Sequence, residues 1–354
     1  MKKNILIYYT GSLGDLLILV PVFGAIRNAH ADDKITLLNI HDGGEKFAPA
    51  RIVEKGGIVD ELRIWTHKKV KIVRYLRFLL FFCRPFMTRY SMVYYCGRDG
   101  IILHKRIKRD CKFLRAYAPG AIIRGAVQLR DFLDPKETLP RIGDLLLERF
   151  NHDGFEPQLT AAANDVFLND AEKSEAEAIF NDLKIPAGKI PLAVGPGGKK
   201  TVCRYPVESY ISVLKTLVAE DRIFPIFFGG PEDDADITEM TDALGSGNSA
   251  RMDHRNISLR TSIALIGKCT FYLGNDTGTL HLAAASGITC DIVSSSHNNP
   301  GLWMPLGDTH LMLRSDPECR GCRKKDCPIE PPPPCLKALT PEIVIDGIRS
   351  KLYC

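Results

Sequence analysis

Residues 271–287 combine side chains suited to one clear kind of chemistry, the binding of an anion. Residues 271–273 are apolar and typical of the end of a buried strand, residues 274–279 form a small polar turn, and residues 280–286 have the pattern of a helix packed through alanines. The first amides of a helix lack intrahelical partners, and the helix dipole favours negative charge there. The segment therefore predicts a phosphate site, with an ordinary strand–helix junction as the open alternative.

Several side chains of this segment are suited to hold a phosphate. Thr277, Gly278 and Thr279 would place amides and hydroxyl groups against the anion. Asp276 is a candidate N-cap of the helix. His281 lies in the first helical turn and could reach the same ligand. If the segment is only a structural junction, Asp276 does no more than cap the helix.

A second short turn, Gly11-Ser-Leu-Gly-Asp15, follows the first apolar run of the chain. Open α/β sheets bind ligands at the carboxyl ends of their strands, and this turn lies at such an end. Its glycines let the backbone approach another group closely. Asp15 is therefore either a side chain that faces a ligand or a carboxylate that caps the following helix.

A third turn, Pro196-Gly-Gly-Lys-Lys-Thr201, combines a flexible backbone with two cations. Gly197, Gly198, Lys199 and Lys200 together suit an anionic group such as a diphosphate. A solvated surface turn would have the same composition, so the residues alone leave both interpretations open.

Four cysteines near the C-terminus form a separate cluster: Cys319, Cys322, Cys327 and Cys335. A Cys-x-x-Cys pair followed by two more thiols fits a tetrahedral structural metal site, with zinc the default and iron bound by similar ligands. Unbound thiols and redox-sensitive pairs are the alternatives. Four thiolates would leave no open coordination position, so no catalytic metal is expected.

Short apolar runs alternate with helical patterns along most of the chain, which indicates a doubly wound α/β fold. Strands are predicted at residues 4–9, 34–39, 59–65, 91–95, 192–195, 224–228 and 288–293. Residues 100–165 give no firm pattern, and residues 185–191 read as a linker. A terminal helix over residues 340–352 has Thr340 as its N-cap and Pro341 in its first turn.

Composition sets wide limits on the class of protein. The chain has 354 residues, 45% hydrophobic and 25% charged, which is ordinary for a globular protein of two domains. Most of its excess of +5 lies in residues 67–130, and this local basic face suggests an anionic substrate or a membrane surface, not nucleic acid. No run predicts a membrane span and no cleavage site follows the N-terminus, so we expect a cytoplasmic protein with reduced cysteines.

A helix predicted over residues 70–82 carries part of this basic excess. Lys71, Arg74 and Arg77 flank an apolar face, which is typical of a helix lying on an anionic membrane surface. A helix packed in the core with a basic outer edge has the same pattern.

The stretch Asn275-Asp-Thr-Gly-Thr-Leu-His-Leu-Ala-Ala-Ala285 resembles the donor-site signature of glycosyltransferase family 9, the bacterial heptosyltransferases of lipopolysaccharide synthesis. The resemblance implies that the Asp-Thr-Gly turn holds the diphosphate of ADP-heptose, with His281 beside it. It also implies a GT-B fold, two Rossmann-like domains facing each other across a cleft. Residues 1–184 would bind the acceptor, residues 185–338 the nucleotide sugar, and residues 339–354 would form a terminal helix that returns to the first domain.

The same resemblance assigns roles to other turns. Gly14-Asp15, followed by Pro21, matches the family's opening pattern, in which the aspartate is the general base; Ser12, Leu13 and Gly14 would then line the acceptor site. An acidic residue after Gly-Pro lies near the ribose in the family, which points to Asp233 or Asp234.

One position departs from the family. Many members carry a lysine before a Trp-Pro pair, and that lysine stabilises the departing diphosphate. Here the stretch is Cys203-Arg-Tyr-Pro206, so Arg204, Lys199 or Lys200 must supply the charge.

Together these features predict an enzyme that moves heptose or a related sugar from a nucleotide-diphosphate donor to a lipopolysaccharide core or related glycan. An anionic glycolipid acceptor would bring the enzyme to the cytoplasmic face of the inner membrane. Two other functions remain open from the sequence: a GT-B nucleotide-sugar epimerase, and a non-catalytic nucleotide-sugar-binding protein.

Overall fold

The computed structural model describes residues 2–41, 48–66, 89–97, 104–129, 134, 136–157, 166, 168–220, 222–305, 307, 309–329 and 331–352. Its contacts divide the chain into two compact units. The first unit comprises Met1–Leu133 with Pro140–Phe167, and the second comprises Asp134–Leu139 with Leu168–Cys354.

The first unit contains a parallel sheet with the strand order β3-β2-β1-β4-β5. Its strands are β1 (Asn4–Thr10), β2 (Lys34–His41), β3 (Glu61–Thr66), β4 (Met92–Gly97) and β5 (Ile122–Arg124). Its described helices are α1 (Leu13–Ala29), α2 (His104–Tyr117) and α3 (Ile142–His152), with a 3-10 turn at Pro49–Val53.

The central strands of this sheet form because their residues are apolar or aromatic without interruption. Such runs are typical of parallel strands covered on both faces. On one face Tyr8 stacks on Tyr95 and packs with Tyr117 in one core cluster. On the other face Tyr94 contacts Phe150 of α3 edge to face. The pairing of β1 with both β2 and β4 makes the β1–β4 boundary the point where the strand order reverses.

The second unit contains a parallel sheet with the order β11-β10-β9-β6-β7-β8. Its strands are β6 (Ile190–Gly195), β7 (Ile223–Phe227), β8 (Ala250–Arg251), β9 (Phe271–Asn275), β10 (Thr289–Ser294) and β11 (Leu311–Arg314). Its described helices are α4 (Asp170–Asp182), α5 (Val207–Glu220), α6 (Asp234–Leu244), α7 (Leu259–Ile266), α8 (Gly278–Ala285), α9 (Pro334–Lys337) and α10 (Pro341–Leu352).

Two helices group differently from the domain limits predicted above. Helix α4 was expected in the first domain but packs against α7 of the second unit, where buried Glu172 meets buried Arg260. Helix α10 was expected to return to the first domain but packs on α5, and Tyr205 donates a hydrogen bond to the Leu339 carbonyl just before it. Both helices therefore belong to the unit that follows Leu168.

The strands predicted from sequence all occur, with bounds within one or two residues of those expected. Helices α2, α3, α6 and α9 and strands β5, β8 and β11 were not predicted. The basic helix predicted over residues 70–82 lies outside the described residues. None of the helices that are described has the length and apolar character needed to cross a bilayer.

Two buried arginines differ in whether a carboxylate compensates their charge. Arg260 pairs with Glu172 through two bonds, from Nε to Oε1 at 2.8 Å and from Nη2 to Oε2 at 2.9 Å. Arg149 is 3% exposed, and its three guanidinium nitrogens have no hydrogen-bond partner in the described parts of the chain. Its Cζ lies 5.4 Å from the centre of the Tyr95 ring, and burial lowers its pKa. The ring is a poor substitute for water, so this charge is costly to bury.

The two arginines are expected to respond in opposite ways to replacement by methionine, which keeps most of the side-chain volume. Arg149→Met removes an unpaired buried charge and should leave the free energy of unfolding unchanged or raise it. Arg260→Met leaves the Glu172 carboxylate buried without its partner and should lower that free energy by about 3–5 kcal/mol. Urea unfolding of both variants checks this, and a loss in Arg149→Met as large as in Arg260→Met would contradict it.

Candidate functional site

The three glycine- or threonine-rich turns predicted as ligand sites lie where the strand order of each sheet reverses. In the second unit β6 and β9 are neighbours at this point, and each leads into one of the predicted turns. In the first unit the turn after β1 lies beside β4 in the same way. Ligands of open α/β sheets bind outside the carboxyl ends of strands at these reversal points. The strand order therefore supports the choice of these turns.

Asn275, at the end of β9, joins the two turns of the second unit. Its Nδ2 donates to the carbonyls of Pro196 at 2.5 Å and Gly197 at 3.1 Å. Its Oδ1 accepts from the Tyr205 amide at 3.2 Å and the Tyr210 hydroxyl at 3.0 Å. The side chain is fully buried, and all its polar atoms have partners. One amide thus fixes the shape of the turn after β6 against the end of β9.

The helix after β9 begins earlier than predicted. Helix α8 starts at Gly278, not at Leu280, and its N-cap is Thr277, not Asp276. The Thr277 side chain makes no capping bond, and its Oγ1 is buried with no partner in the described chain. An unpartnered hydroxyl at a helix start, beside free amides, is suited to an anion's oxygen.

His281 lies in the first turn of α8 and is buried. Burial, with a smaller contribution from His310, lowers its pKa to about 4. The imidazole is therefore uncharged at neutral pH. Any contact with a phosphate would be a hydrogen bond and not an ion pair.

The turn after β6 needs a glycine at position 197. A Cβ on Gly197 would lie 2.3 Å from Asp233 Oδ2, so no larger residue fits. A Cβ on Gly198 would lie 3.5 Å from Thr277 Cγ2, which places this turn directly against the start of α8. The structure therefore brings Gly197 and Gly198 together with Thr277, as a shared anion site requires.

Arg204, the cation predicted to replace the missing lysine, is fully engaged within the protein. Its Nη2 donates to Asp233 Oδ1 at 2.7 Å, its Nη1 to Asp236 Oδ2 at 2.8 Å, and its Nε to the Gly198 carbonyl at 2.8 Å. Two carboxylates balance its charge. Its observed contacts fix the turn, and its catalytic role remains a prediction.

The two aspartates predicted near the ribose also have protein partners. Asp233 Oδ2 accepts the Gly230 amide at 2.8 Å in addition to its bond with Arg204. Asp234 pairs with Arg251. Both carboxylates hold their own loop in shape, and their contact with a ribose remains a prediction.

A cluster that was not predicted lies beside this turn, at the end of β10. Lys200 Nζ is 3.1 Å from His297 Nε2, and Ser295 Oγ is 2.8 Å from His297 Nδ1. Cys203 Sγ is 3.7 Å from both ring nitrogens. The sequence signal was available, since Ser295 and His297 follow a predicted strand at its carboxyl end. Lys199, by contrast, is exposed.

In the first unit Asp15 lies in the first turn of α1 and is 4% exposed. Its Oδ2 accepts the Ser12 amide at 2.5 Å, so the carboxylate does cap the helix. The Tyr9 hydroxyl donates to the Ser12 carbonyl at 2.6 Å and holds the turn from the other side. Leu13 and Gly14 begin the helix itself. Capping leaves lone pairs on the carboxylate, so it does not exclude a second role.

In the described structure the four cysteines are not arranged as a set that could hold a metal ion. Cys319 and Cys322 are exposed, Cys327 is half-buried and Cys335 is buried. In the residues that the structure describes, no group of three or more His, Cys, Asp or Glu side chains is placed to hold a metal. Burial raises the pKa of Cys335, and the nearby thiols of Cys319 and Cys327 raise it further.

The sequence matches the model of one protein family. The model of glycosyltransferase family 9 (heptosyltransferase) matches residues 150–332, just over half of the chain. No curated protein matches the sequence.

Solved structures match the whole chain in fold. A family 9 glycosyl transferase from Veillonella parvula has a TM-score of 0.73 and 17% identity, with 99% of this chain and 98% of that chain covered. ADP-heptose lps heptosyltransferase II from E. coli has a TM-score of 0.64 and 19% identity over 99% and 98%. The dodecameric iron-containing heptosyltransferase TibC, in complex with ADP-D-beta-D-heptose, has a TM-score of 0.54 and 13% identity over 100% and 78%. At these identities the likeness shows the fold, which is of the GT-B type.

The hydrogen bonds of Asn275 generate a stability prediction. Asn275→Ala leaves two buried carbonyls and a buried hydroxyl without their partner, and each such group costs about 1–3 kcal/mol. We expect a loss of at least about 2 kcal/mol in the free energy of unfolding. Asn181→Ala, at an exposed position of α4, is the control and should change it by less than about 0.5 kcal/mol. Equal urea midpoints for the two variants would contradict the role given to Asn275.

Proposed function

Because the chain belongs to glycosyltransferase family 9, the heptosyltransferase family, we propose that it transfers heptose or a closely related sugar from ADP-heptose. The acceptor in this proposal is a lipopolysaccharide core or a related anionic glycan. Membership of the family makes the chain a glycosyltransferase; the sugar, the nucleotide and the acceptor are the proposal. Two structurally similar proteins support the choice of donor: ADP-heptose lps heptosyltransferase II from E. coli, and TibC in complex with ADP-D-beta-D-heptose.

The observation that carries the proposal is the paired turn at the ends of β6 and β9. It offers the Thr277 hydroxyl, which has no partner among the described residues, and the first amides of α8, those of Gly278 and Thr279. The adjacent turn has glycines at positions 197 and 198, so no side chain of these two residues occupies the space. Amides and hydroxyls placed at a helix start stabilise the charge of a diphosphate. Because this charge grows as the sugar leaves, the same groups favour the transition state over the bound donor.

The same turn supports a reaction without a catalytic metal ion. Fixed donors and cations around the departing diphosphate provide stabilisation of the kind that a divalent cation provides in other sites. In the described second unit, Lys200 and Arg314 are cations close enough to His297 to lower its pKa. We propose that amides and cations together neutralise the leaving group.

Asp15 is the proposed general base. It would take the proton from the acceptor hydroxyl as that oxygen attacks the anomeric carbon of the donor, while the sugar–phosphate bond breaks and ADP departs. The carboxylate is buried at the end of β1, and one of its oxygens is fixed by the Ser12 amide. A fixed carboxylate within reach of the hydroxyl accelerates such a step by about 10²–10⁴-fold.

An anionic acceptor is supported by charge. Residues 67–130 contain most of the basic excess of the sequence. An acceptor made at the cytoplasmic face of the inner membrane would bring the protein into peripheral contact with that surface, where basic residues are attracted to anionic lipids. This contact and the cytoplasmic location are part of the proposal.

Asp15→Asn separates the proposed base from the helix cap, since an amide oxygen can still accept the Ser12 amide. We expect transfer from ADP-heptose to a truncated core acceptor to fall by about 10²–10⁴-fold. Affinity for ADP, measured by calorimetry, should stay near that of the wild type.

Asp144→Asn is the matched control. It changes an aspartate in the first turn of α3, where the side chain is 42% exposed and pairs with Arg141. Transfer by this variant should equal that of the wild type. Near-normal transfer by Asp15→Asn would show that Asp15 is not the base. Binding of ADP-heptose without any transfer by the wild type would favour a non-catalytic protein, and altered free sugar nucleotide would favour an epimerase.

We further predict that the four cysteines bind a structural zinc or iron ion. This prediction is supported by their spacing and by the burial of Cys335 beside Cys319 and Cys327, not by the arrangement of the four thiols as a set. Elemental analysis of protein prepared under reducing conditions should find about one metal ion per chain, and removal by a chelator should lower the melting temperature. Protein without zinc or iron would remove the prediction.

A further inference from the structure

The turn after β6 and the residues that follow it contain three cations. Among the described residues, only one of the three is held in place without a carboxylate partner. Lys199 is exposed. Arg204 lies between the carboxylates of Asp233 and Asp236. Lys200 is half-buried, makes no ion pair with any described residue, and directs its Nζ to His297 Nε2 at 3.1 Å.

We propose that Lys200 is the cation that neutralises the departing diphosphate, and that His297 is the positioning residue that holds its ammonium group. This inference rests on the proposed function. It selects Lys200 from the three cations that the sequence offered, and it adds His297, which was not predicted. The missing family lysine thereby has a replacement three positions earlier in the chain.

The hydrogen bonds of His297 suit it to hold an ammonium group. A neutral imidazole has one donor and one acceptor nitrogen. With Nδ1–H donating to Ser295 Oγ at 2.8 Å, Nε2 keeps its lone pair for a proton of Lys200 Nζ. Burial, then Lys200 and Arg314, lower the pKa of His297 to about 4, which keeps the ring neutral at the pH where enzymes of this kind work. Because the Lys200 ammonium can only donate, Nε2 is the acceptor, and the Nδ1–H of this tautomer donates to Ser295 Oγ.

A neutral partner has a consequence that a carboxylate would not have. The carboxylates around Arg204 fix its position and also cancel its charge. An imidazole fixes Lys200 while its full positive charge remains available to a ligand. Charge-assisted hydrogen bonds to phosphate oxygens are about twice as strong as neutral ones, so this difference matters for a leaving diphosphate.

Lys200 and the turn before α8 act on a common neighbour, the Cys203 thiol. Lys200 and Asp276 both act electrostatically on the Cys203 thiol, Asp276 raising its pKa and Lys200 lowering it. The cation and Asp276, in the turn before α8, therefore both lie within electrostatic range of the same buried sulfur. Cys203 itself contacts both nitrogens of His297 at 3.7 Å. A lysine at position 203 would place a second ammonium against this ring, so Cys203 and His297 fit each other.

The Cys-rich segment holds the loop that presents His297. The Arg323 amide donates to the His297 carbonyl at 2.7 Å, and the Gly321 amide donates to the Ser296 carbonyl at 2.6 Å. On the other side Thr201 Oγ1 donates to Asp326 Oδ1 at 2.7 Å. The segment thus fixes the backbone of His297 and the side chain of Thr201, which follows Lys200 directly.

The test compares two replacements of His297 that are isosteric with each other. Gln offers a neutral acceptor and Glu a charged one, of nearly equal size. If His297 holds Lys200 without cancelling its charge, His297→Gln should retain most of kcat. His297→Glu and Lys200→Met should each lower kcat by about 10²–10³-fold with a smaller change in KM, as the loss of one preorganised donor does. A purely structural role for His297 predicts no difference between Gln and Glu.

ADP affinity gives a readout that does not depend on transfer. Calorimetry should show ADP binding weakened about tenfold or more by Lys200→Met and by His297→Glu, and little changed by His297→Gln. Lys215→Met, at an exposed position of α5, is the control for loss of one positive charge and should bind ADP as the wild type does. Melting curves of all variants establish that they are folded.

The outcomes separate this inference from the proposed function. A wild type that binds ADP but transfers no heptose contradicts the proposed function, while the ADP affinities still decide the role of Lys200. Unchanged ADP affinity in Lys200→Met, or equal behaviour of the Gln and Glu variants, overturns the inference. A loss in Lys199→Met in place of Lys200→Met overturns it as well. In the double variant Lys200→Met/His297→Glu, kcat should fall no further than in Lys200→Met alone, since both changes remove one interaction.

Discussion

The hydrogen bonds of the Asn275 side chain are the interaction on which the second unit's site depends. One buried amide connects the end of β9, the turn after β6 and the start of α5. No apolar residue could hold these three segments together, because the carbonyls of Pro196 and Gly197 point inward and need donors. With the turn held this way, Gly198 lies against Thr277, whose buried hydroxyl has no hydrogen-bond partner among the described residues. The anion site is therefore a product of polar packing beneath it.

Around that site the protein distributes its cations in two ways. Arg204 pairs with the carboxylates of Asp233 and Asp236 and connects the turn to the segment after β7. Lys200 is held by an uncharged ring. The distinction is electrostatic: a carboxylate partner fixes a cation and removes its field, whereas a neutral acceptor fixes it and leaves the field intact. Arg149 in the first unit shows a third case, a guanidinium buried against a ring without an acceptor.

Most of the secondary structure was predictable because parallel strands buried on both faces have continuous apolar sequences, and these stand out in any α/β chain. Helix α6 was missed because its sequence is rich in aspartate and threonine, and α2 because it is strongly basic; their apolar residues are few and do not dominate the pattern. The membership of α4 and α10 in the second unit depends on tertiary pairing, Glu172 with Arg260 and Tyr205 with Leu339, which no local pattern records. His297 follows a predicted strand, but its contacts with Lys200 and Cys203 join segments more than ninety positions apart, and no local pattern records these contacts.

The sequence by itself determined the fold class, the family and the residue types of the three ligand turns, because these depend on local patterns: apolar runs, glycines and the threonines of a helix start. Only the tertiary structure decided which turns lie together. Strand order places β6 beside β9 and β1 beside β4, and a sheet order cannot be read from the strands one at a time. It also decided which charged groups are already used. Arg204 and Lys200 are both basic residues of one short stretch of sequence, but their acceptors come from distant segments. The chemistry of each acceptor determines how much charge remains for a ligand.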